Sequence, residues 1–309
     1  MSIVVVGSLN ADFVLSVERF PAPGETVVGS AFAVFSGGKG ANQAYAVARL
    51  GGRVHLVGQV GGDAQAGWLT QHLAAGGVDV THVRRDETVS SGMALITIDA
   101  AGQNQIVIVP GANGTFGVDH LRQSRELISG SRLLLLQLEI PLETVVAAAR
   151  IARRGGAMVI LDPAPARAIP DSLLRLVDYV TPNETELVAL TGGAALRDGE
   201  LGIEEAARRA RQLLKRGARC VLVKLGARGA LLVAPQAERF WPAVPVSAVD
   251  TTAAGDAFNG AFAFALAEDW PEDEAGRFAV AAAACSVTRK GAQPSMPTCA
   301  EVKRLMAES

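Results

Sequence analysis

The chain has 309 residues, 49% hydrophobic and 19% charged, with a formal net charge of -2. This supports a large buried core and excludes the basic footprint of a nucleic-acid-binding protein. Three cysteines far apart (Cys220, Cys285, Cys299) and four scattered histidines form neither a disulfide framework nor a zinc spacing. No apolar run reaches about 18 residues and the N-terminus lacks a basic leader, so a reduced, cytoplasmic protein with no membrane partner is expected.

Residues 3–6 are a continuous apolar run ended by Gly7 and Ser8, the pattern of a buried parallel strand. Asn10 and Asp12 follow where that strand should give way to a loop. Open α/β sheets bind ligands at such strand ends, although the pair also suits a turn. Short β-type pieces come next, at 14–17, 26–28 and 32–35, and a second group lies at 93–98 and 105–109. Together they predict a small β-sheet apart from the main core, from inserts at about 13–36 and 92–110. Such a sheet is an interface or a lid that excludes water.

Gly37, Gly38, Lys39, Gly40, Ala41 and Asn42 precede a helical pattern running to Leu50. This is not a P-loop, because Gly40 rather than Ser or Thr follows the lysine. No dinucleotide fingerprint follows the first strand either. A glycine-rich helix start can hold sugar hydroxyls or a phosphate, or it can simply begin a helix.

From His55 the alternation is regular. Strands are expected at 54–59, 133–137, 157–161, 179–181, 220–224 and 230–233, and helices at 65–75, 121–128, 142–153 and 203–216. Three helical stretches finish the chain, at 255–267, 275–287 and 300–307. The expected fold class is α/β, with a doubly wound, mostly parallel sheet flanked by helices in one domain over 1–309. Parallel strands bring their carboxyl ends to one edge. Asn10, Asp12, Glu139, Asn183, Glu186 and Lys224 should therefore approach one another and Asp256, a set that fits Mg–nucleotide chemistry. Glu139 reads equally as a surface strand-end acid, and Asn183 with Glu186 as a helix capping box.

The stretch 249–266, VDTTAAGDAFNGAFAFAL, organises the rest. Phe258, Phe262 and Leu266 recur at helical spacing, which puts Asp256 in the first turn of a buried, small-residue helix. Free backbone N–H groups there, unobstructed at Ala253, Ala254 and Gly255, make an anion site. A carboxylate beside it can take the proton from an attacking hydroxyl, which suits phosphoryl transfer. An ordinary acid favoured by the helix dipole is the other reading of Asp256.

The motifs GSLNAD (7–12), PGET (23–26), GGKGANQA (37–44), QLE (137–139), DPAPAR (162–167), TPNETE (181–186), LGARG (225–229), VDTTAAGDAFNG (249–260) and TRKGAQPS (288–295) together resemble the PfkB carbohydrate-kinase family. The likeness runs from about residue 3 to residue 297. It implies transfer of the γ-phosphoryl group of ATP to the 5-hydroxyl of D-ribose, giving ribose 5-phosphate and ADP. By this resemblance Asp256 is the base, and Ala253, Ala254 and Gly255 form the anion hole. Asn10, Asp12 and Glu139, with Gly38, Lys39, Gly40, Ala41 and Asn42, match the sugar-binding positions. Asn183 and Glu186 match a motif acting on Mg²⁺ and phosphates. Lys224, Leu225, Gly226, Ala227, Arg228 and Gly229 match a loop around the nucleotide. Asp250, Thr252, Ser286, Arg289, Gly291 and Ser295 match a K⁺ site built largely of backbone carbonyls. The lid implies a homodimer.

Three positions depart from the family pattern: Lys224 stands where Thr is frequent, Val280 where Asn or His commonly meets the adenine, and Thr252 where Ile is frequent. A kinase for another acceptor such as 2-deoxyribose or adenosine, and a non-catalytic sugar-binding protein, are the alternatives. A nicotinamide-dependent oxidoreductase lacks its fingerprint.

Overall fold

The computed structural model describes residues 2–193 and 201–308. Its strands in chain order are β1 (Ile3–Val6), β2 (Asn10–Val17), β3 (Gly29–Gly37), β4 (Val54–Gly61), β5 (Asp79–Asp86), β6 (Gly92–Ile98) and β7 (Asn104–Val109). Then come β8 (Leu133–Leu136), β9 (Met158–Leu161), β10 (Tyr179–Val180), β11 (Cys220–Lys224), β12 (Gly229–Ala234) and β13 (Ala237–Pro242). Nine form one sheet in the order β13-β12-β11-β10-β9-β8-β1-β4-β5, and β3-β2-β6-β7 form a second, four-stranded sheet. From β11 to β5 the large sheet is parallel, and β12 and β13 add an antiparallel edge. This is the expected doubly wound α/β sheet with a small second sheet.

The continuous apolar strands explain the layering. β1 and β8 are buried along their whole length, so both faces must be covered. One core cluster joins Ile3, Val5, Leu133 and Leu135 to the Lys39–Arg49 and Ala254–Ala267 helices. The other joins Val4, Val6, Leu134 and Leu136 to the Leu142–Gly155 helix. Alternate residues of each strand thus serve opposite cores. Small residues let the two glycine-rich helices pack close. A Cβ on Gly260 would lie 2.6 Å from the Ala46 methyl, and a Cβ on Gly40 would lie 2.6 Å from the Gly7 carbonyl carbon. The second contact seats the start of the Lys39–Arg49 helix directly over the end of β1.

Several elements differ from the sequence expectation. β5, DVTHVRRD, is an edge strand with mostly half-buried charged residues, so it lacks an apolar run. β13 is an exposed edge strand for the same reason, with only Trp241 buried. Residues 26–28 pair with nothing in either sheet, and Val28 stands 91% exposed. The helix expected at 121–128 is a 3-10 segment (Val118–Ser124) running into a short α-helix (Arg125–Ser129). Asn10 and Asp12 are not in a loop. They begin β2, paired with β3 and β6, so the small sheet is rooted at the mouth of β1. Among the described residues no helix is long and apolar enough to cross a membrane.

Candidate active site

β1, β8, β9, β10 and β11 end on one edge of the large sheet, and the polar residues that follow them meet there. Asp256 is the centre of this group. It lies in the first turn of the Ala254–Ala267 helix and is only 4% exposed. Asn42 donates Nδ2 to its Oδ2 at 3.0 Å, and Gln43 donates Nε2 to its Oδ1 at 3.0 Å. Both amides sit near the start of the Lys39–Arg49 helix, which the Gly40–Gly7 contact holds in place.

Each amide is itself oriented by another. Gln293 Nε2 donates to Asn42 Oδ1 at 3.1 Å, and Gln137 Nε2 donates to Gln43 Oε1 at 2.6 Å. Gln43 Nε2 also donates to Asp162 Oδ2 at 2.9 Å, and Asp162 Oδ1 accepts from the Lys224 ammonium at 2.9 Å. Asp162 is 1% exposed, so this ion pair is buried at one end.

Electrostatics follow from this crowding. Burial pushes the Asp256 carboxyl up to about 6; Lys39 opposes the shift and Asp162 adds to it. Burial also pushes Asp12 up to about 7, reinforced by the charges of Glu139 and Asp256. Burial works to lower the Lys39 ammonium, but Asp256, Asp162, Glu139 and Glu186 together hold it raised. Burial raises Glu186, with Lys224 opposing. A carboxylate titrating near neutrality beside a fixed cation is poised for proton transfer.

On the β1 side, Glu139 Oε2 accepts from Ser8 Oγ at 2.5 Å and from the Lys39 backbone N–H at 2.9 Å. Glu139 is thus tied to the glycine-rich turn. Asn10 Oδ1 accepts from Asn113 Nδ2 at 2.8 Å. The Asp12 carboxylate fills the space that a Cβ on Gly37 would occupy. Gly38 has a φ of 89°, which glycine adopts freely, and its helix begins with Lys39 and continues through buried Gly40, Ala41 and Asn42.

On the other side lies a cleft of about 320 Å³. Lys224, Ala254 and Gly255 line it, together with the apolar Val280, Ala283, Ala284 and Val287. Ala253 is in the left-handed region, φ 58°, immediately before the helix. A non-glycine residue held there costs roughly 1–2 kcal/mol. The Ala254 N–H is taken by the Thr251 carbonyl at 3.2 Å. Helix geometry then leaves the N–H groups of Gly255 and Asp256 without intrahelical partners, the arrangement in which a helix start can hold an anion. The Lys224 Nζ lies 3.3 Å from where a Cβ on Gly255 would stand, so an ammonium hangs over that turn.

The remaining expected residues are placed as follows. Gly226, Ala227 and Gly229 line the cleft, Leu225 is buried in the core, and Arg228 turns away to Glu184 and the Leu201 carbonyl. Asn183 and Glu186 form a capping box, with Glu186 Oε2 accepting from the Asn183 N–H at 2.8 Å. Asn183 also bridges Lys224 across the strand ends, so the cap belongs to the same edge. Asp250 accepts from the N–H groups of Gly291 at 2.8 Å and Thr252 at 2.9 Å. Ser286 and Ser295 hydroxyls donate to Ala283 and Ala292 carbonyls, and Arg289 pairs with Glu301 at 2.9 Å. This loop adjoins the main group through Gln293 but holds no second carboxylate.

Ser8, Gln43, Asn113, Asp162 and Gln293 were not among the expected site residues. Asp162 directly follows β9, so the strand-end rule that selected Glu139 selects it as well.

A family model described as "pfkB family carbohydrate kinase" matches residues 1–299. The chain belongs to the pfkB family of carbohydrate kinases. Within this pfkB family it is similar to the ribokinase of Haemophilus influenzae, 44% identical over 96% of this chain and 95% of the relative. It is also similar to the deoxyribokinase of Salmonella typhimurium, 38% identical over 96% of each chain. Among solved structures it is similar to the ribokinase of Arabidopsis thaliana complexed with ribose and ATP, with a TM-score of 0.93, 37% identity and 99% of both chains covered. The architecture is therefore the ribokinase-like one.

Proposed function

We propose that the chain is an ATP-dependent ribokinase acting on the 5-hydroxyl of D-ribose. The observation that carries this reading is the placement of Asp256. It is a buried carboxylate shifted toward neutrality, at a helix start whose free N–H groups and nearby ammonium suit a phosphoryl group. The full-length likeness to a structure holding ribose and ATP supports both ligands.

In this reading Asp256 takes the proton of the 5-hydroxyl as the oxygen attacks the γ-phosphorus. The new O–P bond forms while the bond to the β-phosphate oxygen breaks, and the electron pair leaves on ADP. The N–H groups of Gly255 and Asp256, the Ala253 and Ala254 turn and the Lys224 ammonium stabilise charge on the transferred group. Asn10, Asp12, Glu139, Lys39 and Asn42, on the turn of Gly38, Gly40 and Ala41, hold the sugar hydroxyls. The nucleotide lies along Lys224, Gly226, Ala227 and Gly229, over Leu225 and beside Arg228.

This reading takes Mg²⁺ to be carried mainly by the phosphates of the nucleotide. Glu186 and Asn183 would help hold it, and Mg²⁺ when bound would neutralise charge on the phosphates. By the family resemblance, Asp250, Thr252, Ser286, Arg289, Gly291 and Ser295 would hold K⁺, and Asp250 joins two parts of this loop by accepting from the Gly291 and Thr252 N–H groups. Equal rates in K⁺ and in tetramethylammonium would remove K⁺ from this account.

The chain pairs as a homodimer through the small sheet in this reading. Ile106, Val107 and Ile108 of edge strand β7 are 51–61% exposed, so both faces of that strand offer apolar surface. Three unpaired cysteines support a reducing, cytoplasmic setting.

The test is ADP release from ATP–Mg²⁺ with K⁺, comparing D-ribose, 2-deoxyribose, fructose and adenosine. Ribose-dependent release that is lost in Asp256→Asn supports the reading. Faster turnover on 2-deoxyribose would move the acceptor, in keeping with the deoxyribokinase relative. Ribose binding with no ADP from any acceptor would make the chain a sugar-binding protein.

A further inference from the structure

Lys224, Asp162, Gln43 and Asp256 form one unbroken line across the sheet edge. The Lys224 ammonium sits 2.9 Å from Asp162 Oδ1, and Gln43 Nε2 sits 2.9 Å from Asp162 Oδ2 and 3.0 Å from Asp256 Oδ1. Lys224 also lines the cleft and overhangs Gly255. The same ammonium is therefore within reach of two partners, a buried carboxylate and the place where a triphosphate would lie. Asp162, 1% exposed, has no other cation bonded to it among the described residues.

We propose that Asp162 is a positioning residue that couples nucleotide binding to the strength of the base. Without nucleotide, Lys224 neutralises Asp162. A triphosphate, with more charge to offer than one carboxylate, draws the ammonium to its own oxygens. The Asp162 charge then acts on Asp256 across the shared Gln43 amide and makes Asp256 a stronger base. The base gains strength when the phosphoryl group it serves is in place. This rests on the kinase reading above.

The charged groups around Asp256 and its immediate neighbours come from six elements. Lys39 on the Lys39–Arg49 helix favours its charged form. Asp12 on β2, Glu139 after β8, Asp162 after β9 and Glu186 on the Glu184–Thr191 helix are the acids around it, and Lys224 on β11 faces Asp162 and Glu186. Of these, Lys224 is the cation that both lines the nucleotide cleft and is bonded to a carboxylate neighbour of Asp256. The Lys39 ammonium also feels Asp256 and Asp162, but its helix start is tied to Glu139 through the backbone N–H, and it does not line the nucleotide cleft.

The test compares two pH profiles. The acid limb of kcat/KM for ATP, at saturating ribose, reports the base before nucleotide binds, and the acid limb of kcat reports it afterwards. In the wild type the kcat limb should lie higher. The phosphates themselves contribute to that gap, so the variants decide. In Asp162→Asn the kcat limb should fall by about 0.5–1 pH unit, because the charge that strengthens the base in the nucleotide complex is gone. In Lys224→Met the kcat/KM limb should rise by a similar amount, narrowing the gap from below, while KM for ATP rises about tenfold and calorimetric ribose affinity holds. An unmoved kcat limb in Asp162→Asn would overturn the proposal. If that variant fails to fold, an unmoved kcat/KM limb in Lys224→Met overturns it instead. Absence of ADP release from wild-type protein with every acceptor would defeat the kinase reading itself, a different result from active enzymes with unmoved limbs.

Discussion

Gln43 lends one side-chain nitrogen to two carboxylates, Asp256 Oδ1 at 3.0 Å and Asp162 Oδ2 at 2.9 Å. An amide NH₂ has two hydrogens, so both acids are served only in this orientation, and Gln137 fixes it through Gln43 Oε1. Gln43→Leu leaves each carboxylate one donor short in a buried setting. The expected result is a loss of about 2–4 kcal/mol in denaturant unfolding and a kcat lowered about 10- to 100-fold. A variant with wild-type kcat would show that the amide does not aim the base.

Asp256→Asn should lower kcat by about 10²- to 10⁴-fold, the usual worth of a positioned base. Its stability signature has a definite sign. The folded-state value near 6 lies above the ordinary 3.8, so the folded protein holds a proton that the unfolded chain has released. The stabilisation from that proton is complete below about pH 4 and lost as pH rises through 6. Asparagine cannot lose it. The melting temperature of the variant relative to wild type should therefore become more favourable from pH 5 to pH 8. A difference that moves the other way would mean that Asp256 is not held protonated in this range.

Asp12 gives a pH dependence to the sugar rather than to the chemistry. Burial, then Glu139 and Asp256, lift it to about 7. As an acceptor of sugar hydroxyls it works best ionised, so KM for ribose should rise as pH falls below 7, by at most about tenfold per unit. In Asp12→Asn that slope should vanish while KM at pH 8 rises. Persistence of the same slope in the variant would assign it to another group.

The exposed apolar edge of β7 predicts a concentration-dependent dimer. Ile106→Lys together with Ile108→Lys should shift the mass found by light scattering to that of one chain, 32.0 kDa. Both residues are solvent-exposed, so the melting temperature at low concentration should stay within a few degrees. A wild type already at that mass at micromolar concentration would exclude pairing through this strand.

Much of this arrangement was legible in the sequence because strand burial and strand-end chemistry are local signals. The unbroken apolar runs of β1 and β8 fix a doubly covered sheet, and the polar residues just past them mark its binding edge. The small sheet was legible from its short β-type pieces, though not that Asn10 and Asp12 would begin it, because a polar pair after Gly7 reads as a turn. Edge strands β5 and β13 were hidden by their charges. The amides Gln43, Gln137 and Gln293 were hidden for another reason. An uncharged glutamine on a helix or at a strand end carries no mark of function until the folded chain shows what it is bonded to.

The bonds that build the base pocket span long stretches of chain. Asn42 and Asp256 are 214 residues apart, Gln43 and Asp162 119, and Gln293 and Asn42 251. Contacts of this range close late and slowly, since the loop entropy must be overcome before they form. During synthesis the glycine-rich turn exists long before its acid partner has been made. Catalytic competence therefore comes last, after both ends of the polypeptide have met, and turnover becomes a stricter report of complete folding than secondary structure is.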